Sequence, residues 1–156
     1  MSSFPGWAQR TPVRAGLRFV AVPVVKIRQG GHAAGRVEDA MLATLAVPFD
    51  EATPAARIRA YARVAYGGDA SRAEYAVAAE AAYRPALSGP WIGRLAKWFD
   101  LPPDLPPATR ARLTLARLAA DGLWSAFATG LFPPEPQDRD ALVALIEDLT
   151  AEGDDS

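Results

Sequence analysis

Tyr61, Tyr75, Tyr83, Trp91, Trp98, Trp124 and Phe127 are the side chains whose type and spacing could do the most specific chemistry in this chain. They recur at helical intervals among alanines. Large rings facing methyl-sized neighbours can wall a cavity for an apolar or aromatic molecule, with phenol and indole tips as its few polar contacts. For any one of them taken alone, ordinary core packing is the plainer reading; the set together, facing alanines, is what suggests a cavity. Tyr61, Tyr75, Trp91, Trp98, Trp124 and Phe127 are the candidate pocket residues, with Trp98, Trp124 and Tyr75 foremost.

Other chemistry finds little support. The chain has no cysteine and one histidine, His32. Thiolate metal sites and disulfides are therefore excluded, and His32 has no partner at ligand spacing. The short acidic pairs Glu38-Asp39, Asp50-Glu51 and Asp154-Asp155 read as solvated surface. There is no nucleophile elbow, no zinc-protease signature and no phosphate-cradling glycine loop, since Gly30-Gly31 alone does not make one. The expectation is a protein that is not an enzyme, with no metal and no cofactor.

A second apolar set lies near the C-terminus. Leu142, Leu145, Ile146 and Leu149 follow the i, i+3, i+4, i+7 rule of an amphipathic helix. With Leu123 and Phe127 they form either a seam between two copies or a face buried within one. Gly122 and Gly130 each weaken a helix by about 1 kcal/mol, a cost that close approach of a neighbouring helix could offset.

The elements that must position these residues are helices. Val37, Met41, Leu42 and Leu45 keep a helical period up to Pro48. Thr53-Pro54 is an N-cap followed by proline at the first helical position, and Gly67-Gly68 stops that helix. Ser71-Arg72-Ala73-Glu74 is a capping box that opens a helix ending before Pro85. Ser88-Gly89-Pro90 opens the next, which carries Trp91, Leu95, Trp98 and Phe99. The run Leu101 to Pro107 holds four prolines and is a stiff linker. A long helix follows from about Ala108 to Gly130, then a proline-rich break, then a last helix from Asp138 to Thr150. That makes an all-α bundle of about six helices with no sheet.

Composition and charge fit one such domain. Apolar residues make up 50% of the 156 and charged residues 22%, a globular balance. Net charge is −1, yet residues 1–36 hold six basic residues and no acidic one. Such an arm could touch phosphates, but no stacking platform or recognition helix accompanies it. Residues 1–36 therefore read as a weakly ordered basic leader, 37–151 as the folded domain and 152–156 as an acidic tail. No apolar run approaches the roughly 18 residues that span a membrane. Arg18 and Pro23 interrupt the stretch 15–25 that loosely mimics a signal peptide, so the expected location is the cytoplasm.

The order of short helices, a long helix containing Ala119-Ala120-Asp121-Gly122-Leu123-Trp124, a Pro-Pro-Glu-Pro break and a final amphipathic helix resembles the C-terminal regulatory domain of TetR-family repressors. The resemblance covers about Val37 to Ala151. It implies that the last two helices of each copy build a four-helix dimer interface through Leu123, Leu142, Leu145, Ile146 and Leu149. It also implies that the preceding helices enclose a pocket for a small apolar or aromatic effector. Family members carry a three-helix DNA-reading head, and no such head is recognisable in residues 1–36. A frame change upstream of Val37 in a GC-rich gene would account for that. The resemblance implies a ligand-responsive regulatory domain that forms homodimers and contacts DNA only with a head restored. Pairing with an intact homologue would make it an inhibitor. The alternative is a stand-alone helical small-molecule-binding or protein-interaction domain unrelated to transcription.

Overall fold

The computed structural model of the chain describes residues 24–67 and 72–151. The described residues fold as six helices joined by short connections. They are α1 (Val24–Thr44), α2 (Pro54–Gly67), α3 (Arg72–Tyr83), α4 (Pro85–Phe99), α5 (Pro107–Thr129) and α6 (Pro136–Leu149), with a single 3-10 turn, Phe49–Glu51, between α1 and α2. No strand occurs among the described residues. The all-α bundle of six helices expected from the sequence is the observed architecture.

The helix ends follow local chemistry. The Thr53 hydroxyl accepts the Ala56 N–H at 3.1 Å, and its carbonyl accepts the Arg57 N–H at 3.0 Å. This satisfies one of the N–H groups that a helix start otherwise leaves unpaired. Gly130 closes α5 in the left-handed region at φ 71°, with its N–H bonded to the Ala126 carbonyl at 2.9 Å. The capping box at the start of α3 depends on Ser71, which lies outside the described residues. Its partner Glu74 accepts a bond from Arg36 Nε at 2.6 Å.

Two boundaries differ from the sequence expectation. The domain start placed at Val37 falls inside α1, which is already helical at Val24. Gly30, Ala33, Ala34, Val37, Glu38 and Met41 are buried along it, at the intervals of one helix face. Small residues carry the first half of that face, so its apolar period is faint in the sequence. A methyl group built on Gly30 would lie 3.8 Å from the Leu87 carbonyl oxygen and 3.9 Å from a Val77 methyl, so α1 runs close to both α3 and α4. The rest of the expected leader, residues 1–23, and the acidic tail, 152–156, lie outside the described residues.

The second difference is the start of α4. It begins at Pro85, not at Pro90, and Pro90 sits inside the helix. Arg84, at φ −132° and ψ 98°, has the extended backbone that a following proline imposes. Pro85 then serves as the favoured first helical proline. Pro90 removes one donor one turn later, where a backbone bond would have gone to Ala86.

The helices pack around a core of Met41, Ile58, Val64, Leu87 and Trp98, all essentially inaccessible. The most extensive contacts are those of α2 with α5 and of α1 with α4. Alanines make the first of these close. Ala62 on α2 and Ala116 and Ala120 on α5 have no exposed surface. Charge ties α1 to α4: the buried Glu38 carboxylate receives Arg94 Nη1 at 2.9 Å and Lys97 Nζ at 2.7 Å. Burial pushes the Glu38 carboxyl up, but the two cations outweigh it and hold the group below its ordinary value.

The outermost helix, α6, touches α5 and α2 by two kinds of contact. Towards α5 it is apolar. Towards α2 it is polar. Arg59 donates to the hydroxyl and carbonyl of the buried Thr150, Arg63 Nε meets Glu147 Oε1 at 2.8 Å, and the Tyr66 hydroxyl donates to the same oxygen at 2.8 Å. Arg139 returns a bond to the Tyr66 carbonyl. Burial and the Glu147 carboxylate push the Tyr66 phenol up to about 12, so it remains a donor throughout the neutral range.

The alanine contact between α2 and α5 leaves no volume for a larger side chain. Ala120→Leu is expected to lower stability by about 1–3 kcal/mol through overpacking. Thermal unfolding of the variant beside the parent chain checks this, and an unchanged melting temperature would contradict it.

Candidate functional site

Four helices contribute to a cavity of about 550 Å³. Tyr61 comes from α2. Tyr75, Ala78, Ala79 and Ala81 come from α3, and Ser88, Trp91, Ile92 and Leu95 from α4. Asp121, Gly122, Trp124 and Ser125 complete it from α5. The space exists because α3 turns alanines towards it where a leucine-rich helix would fill it. The cavity opens to the surface beside Ile92, which is 63% exposed, and beside the exposed Gly122.

The walls are aromatic and held in place. Tyr75 meets Trp124 edge to face, with ring centroids 5.5 Å apart, and its hydroxyl shares a 2.6 Å hydrogen bond with the Ser125 hydroxyl. Trp91 and Trp124 lie 6.4 Å apart at a tilt of 48°. Tyr61 packs edge to face on Phe99 at 4.8 Å. Its hydroxyl donates to one carboxylate oxygen of Asp121, and Arg117 reaches the other at 3.3 Å. Burial pushes the Asp121 carboxyl up, and the Tyr61 hydroxyl and Arg117 guanidinium offset this only in part. Burial and the neighbouring carboxylate together raise the Tyr61 phenol well above its ordinary value, so it stays protonated and donating.

Four of the six aromatics picked from the sequence meet at this cavity: Tyr61, Tyr75, Trp91 and Trp124. Trp98 and Phe127 do not line it. Trp98 follows Trp91 by seven residues and shares its helix face, but at 1.5 Å per residue it sits roughly 10 Å further along α4. There it is fully buried against Phe49, with centroids 4.8 Å apart. Phe127 is half-buried beneath the Arg139 guanidinium, 5.4 Å away. The sequence reading passed over Asp121, Ser88, Ser125 and the α3 alanines as lining residues. A single acid in an otherwise apolar stretch of α5, with arginine one turn earlier, is the signal that could have singled out Asp121.

A second apolar feature lies on the other side of α5. A groove of about 500 Å³ between α5 and α6 is lined by all five expected seam residues, Leu123, Leu142, Leu145, Ile146 and Leu149, together with Leu115, Gly122 and Phe132. Leu123 and Ile146 are buried within the single chain, whereas Leu145 is 60% exposed. Leu115, Leu118, Leu131 and Phe132 extend the exposed apolar surface. Phe132 is 96% exposed and is held at φ 50°, a left-handed conformation uncommon for an aromatic residue. Gly122 lines both the cavity and the groove.

Among the described residues no group of three or more histidine, aspartate or glutamate side chains could hold a metal ion. His32 lies exposed on α1. No helix among them is long and apolar enough to cross a membrane.

An all-α domain with an aromatic-lined cavity open to the surface and an outward apolar helix pair is the class of protein that this geometry defines. The chain belongs to the family described as tetracyclin repressor-like, C-terminal domain, whose model matches residues 55–151. The match runs from the first turn of α2 to the second residue after α6 and takes in every element of the cavity and the groove. Domains of this family are typically regulators. Neither the curated proteins nor the solved structures contain a match to the chain.

The Tyr61–Asp121 bond joins α2 to α5 at the cavity wall. Tyr61→Phe leaves one carboxylate oxygen without its buried donor and is expected to cost about 1–3 kcal/mol. Urea unfolding of the two chains measures the difference, and equal midpoints would mean that the bond contributes nothing.

Proposed function

We propose that this chain is the effector-binding and dimerising domain of a TetR-like transcriptional regulator. The observation that carries the effector reading is the cavity walled by Tyr61, Tyr75, Trp91 and Trp124. Its size and aromatic lining suit a small apolar or aromatic molecule. A ligand that binds only the folded chain raises its stability, by about 2.7 kcal/mol at a hundred times its dissociation constant. In a thermal-shift screen of aromatic and acyl compounds, the parent chain is expected to respond. Ala79→Trp, which places an indole in the cavity, is expected to abolish the response. A hit that the variant retains would place binding elsewhere.

The dimer reading rests on the outer face of α5 and α6. Ala111, Leu115, Leu118 and Gly122 fall on one stripe of α5 and are exposed in the single chain, beside Leu145, Leu131 and Phe132. A contiguous apolar surface of this kind marks an interaction site. An exposed aromatic held in an unfavourable backbone conformation is explained if a partner covers it. Helix pairs from two copies, packed through these faces, make a four-helix interface. Specific DNA binding in this reading requires a DNA-reading head joined to the domain.

Sedimentation of the parent chain is expected to give a dimer. The double variant L118E/L145E, which changes two exposed residues only, is expected to sediment as a monomer with unchanged helix content. A monomeric parent would favour a stand-alone binding domain instead.

A further inference from the structure

We infer that the cavity takes a hydrophobic monocation: an aromatic or alkyl body bearing one ammonium-type group, with the Asp121 carboxylate as its counter-ion. The inference rests on the cavity being the ligand site and adds the charge of the ligand.

The formal charge of the wall carries the argument. Among the described residues that line the cavity, Asp121 is the one with a charged side chain, and no arginine, lysine or histidine accompanies it. An anionic ligand would therefore meet a carboxylate with no cation on the wall to receive it. Arg117, one turn earlier on α5, neutralises Asp121 from outside the lining, at the long distance of 3.3 Å and from a partly exposed position. An ionised carboxylate offers about four acceptor positions. Tyr61 and Arg117 each use one, so acceptor capacity remains.

Two further observations point the same way. Burial disfavours the Asp121 charge more than its two partners favour it, so a cation arriving from the cavity supplies compensation that the fold leaves incomplete. Tyr75, Trp91 and Trp124 add electron-rich rings to the same wall, and such rings attract cations, tryptophan most strongly. The Tyr75 and Ser125 hydroxyls bond to each other. The indole N–H groups of Trp91 and Trp124, buried without a hydrogen-bond partner, can donate to a neutral acceptor on the ligand, and the alanines, Ile92 and Leu95 suit its apolar body.

The test uses the full chain and three probes sharing one body: naphthylethylamine, naphthylethanol and naphthylpropanoate. These are cationic, neutral and anionic at neutral pH. Calorimetric titration is expected to give the amine about tenfold or more tighter than the alcohol, with the anion weakest. Asp121→Asn keeps a carbonyl oxygen for the Tyr61 hydroxyl and removes the charge, and is expected to bring the amine-to-alcohol affinity ratio close to one. An alcohol or anion that binds the unaltered chain as tightly as the amine overturns the inference while leaving the cavity a ligand site. An amine preference that survives Asp121→Asn overturns Asp121 as its cause. Binding of none of the three overturns the reading of the cavity itself, and this inference with it.

Discussion

The structure depends on the demands made of α5. This one helix of 23 residues packs against α2, walls the cavity beside α3 and carries α6. No amphipathic two-sided helix could do all three. Its composition answers each neighbour in turn. Alanines at 116 and 120 allow the close approach of α2. Asp121, Trp124 and Ser125 face the cavity. Leu115, Leu118 and Leu145 of the adjoining helix make the outer face. The close α2 contact comes first among these, because it fixes how far Tyr61 stands from Asp121 and so where the cavity wall lies.

Given that contact, the rest of the cavity follows from what α3 and α4 contribute. Small residues on α3 withhold volume and large ones on α4 and α5 surround it. The space opens to the surface, so its shape is set by the side chains that these helices turn towards it. The edge-to-face pair of Tyr75 and Trp124, the Tyr75–Ser125 bond and the Tyr61–Asp121 bond each connect two different helices. The Glu38 cluster on the far side of α4 has the same effect, fixing the helix that bears Trp91.

Much of this was legible in the residues themselves. Proline and glycine punctuation marked the ends of α2, α5 and α6 to within two residues, because Thr53-Pro54 and Gly130 act through local backbone chemistry. Each of the four cavity aromatics lies among the apolar residues of a separate helix. What the sequence concealed has physical causes. The start of α1 buries glycine and alanine, which leave almost no apolar signal. Pro90 reads as a helix start but lies one turn inside α4, a position only the preceding Pro85 explains. Trp98 and Trp91 share a face yet differ by two turns in height, and spacing alone reports the face. The exposed Leu115 and Leu118 were hidden by the opposite circumstance. α5 carries apolar residues on more than one side, so nothing in its pattern separates the covered stripe from the open one.

The attachment of α6 has a consequence for how the domain meets its solvent. One flank of this helix is bound by arginines to Glu147 and Thr150, partly at the surface, and the other by leucine and isoleucine against α5. Dissolved ions screen the first kind of contact. Strongly excluded anions such as sulfate reinforce the second. The same helix is thus loosened on one side and tightened on the other as the medium changes, so the identity of the salt, and not merely its concentration, governs how firmly the outer layer is seated.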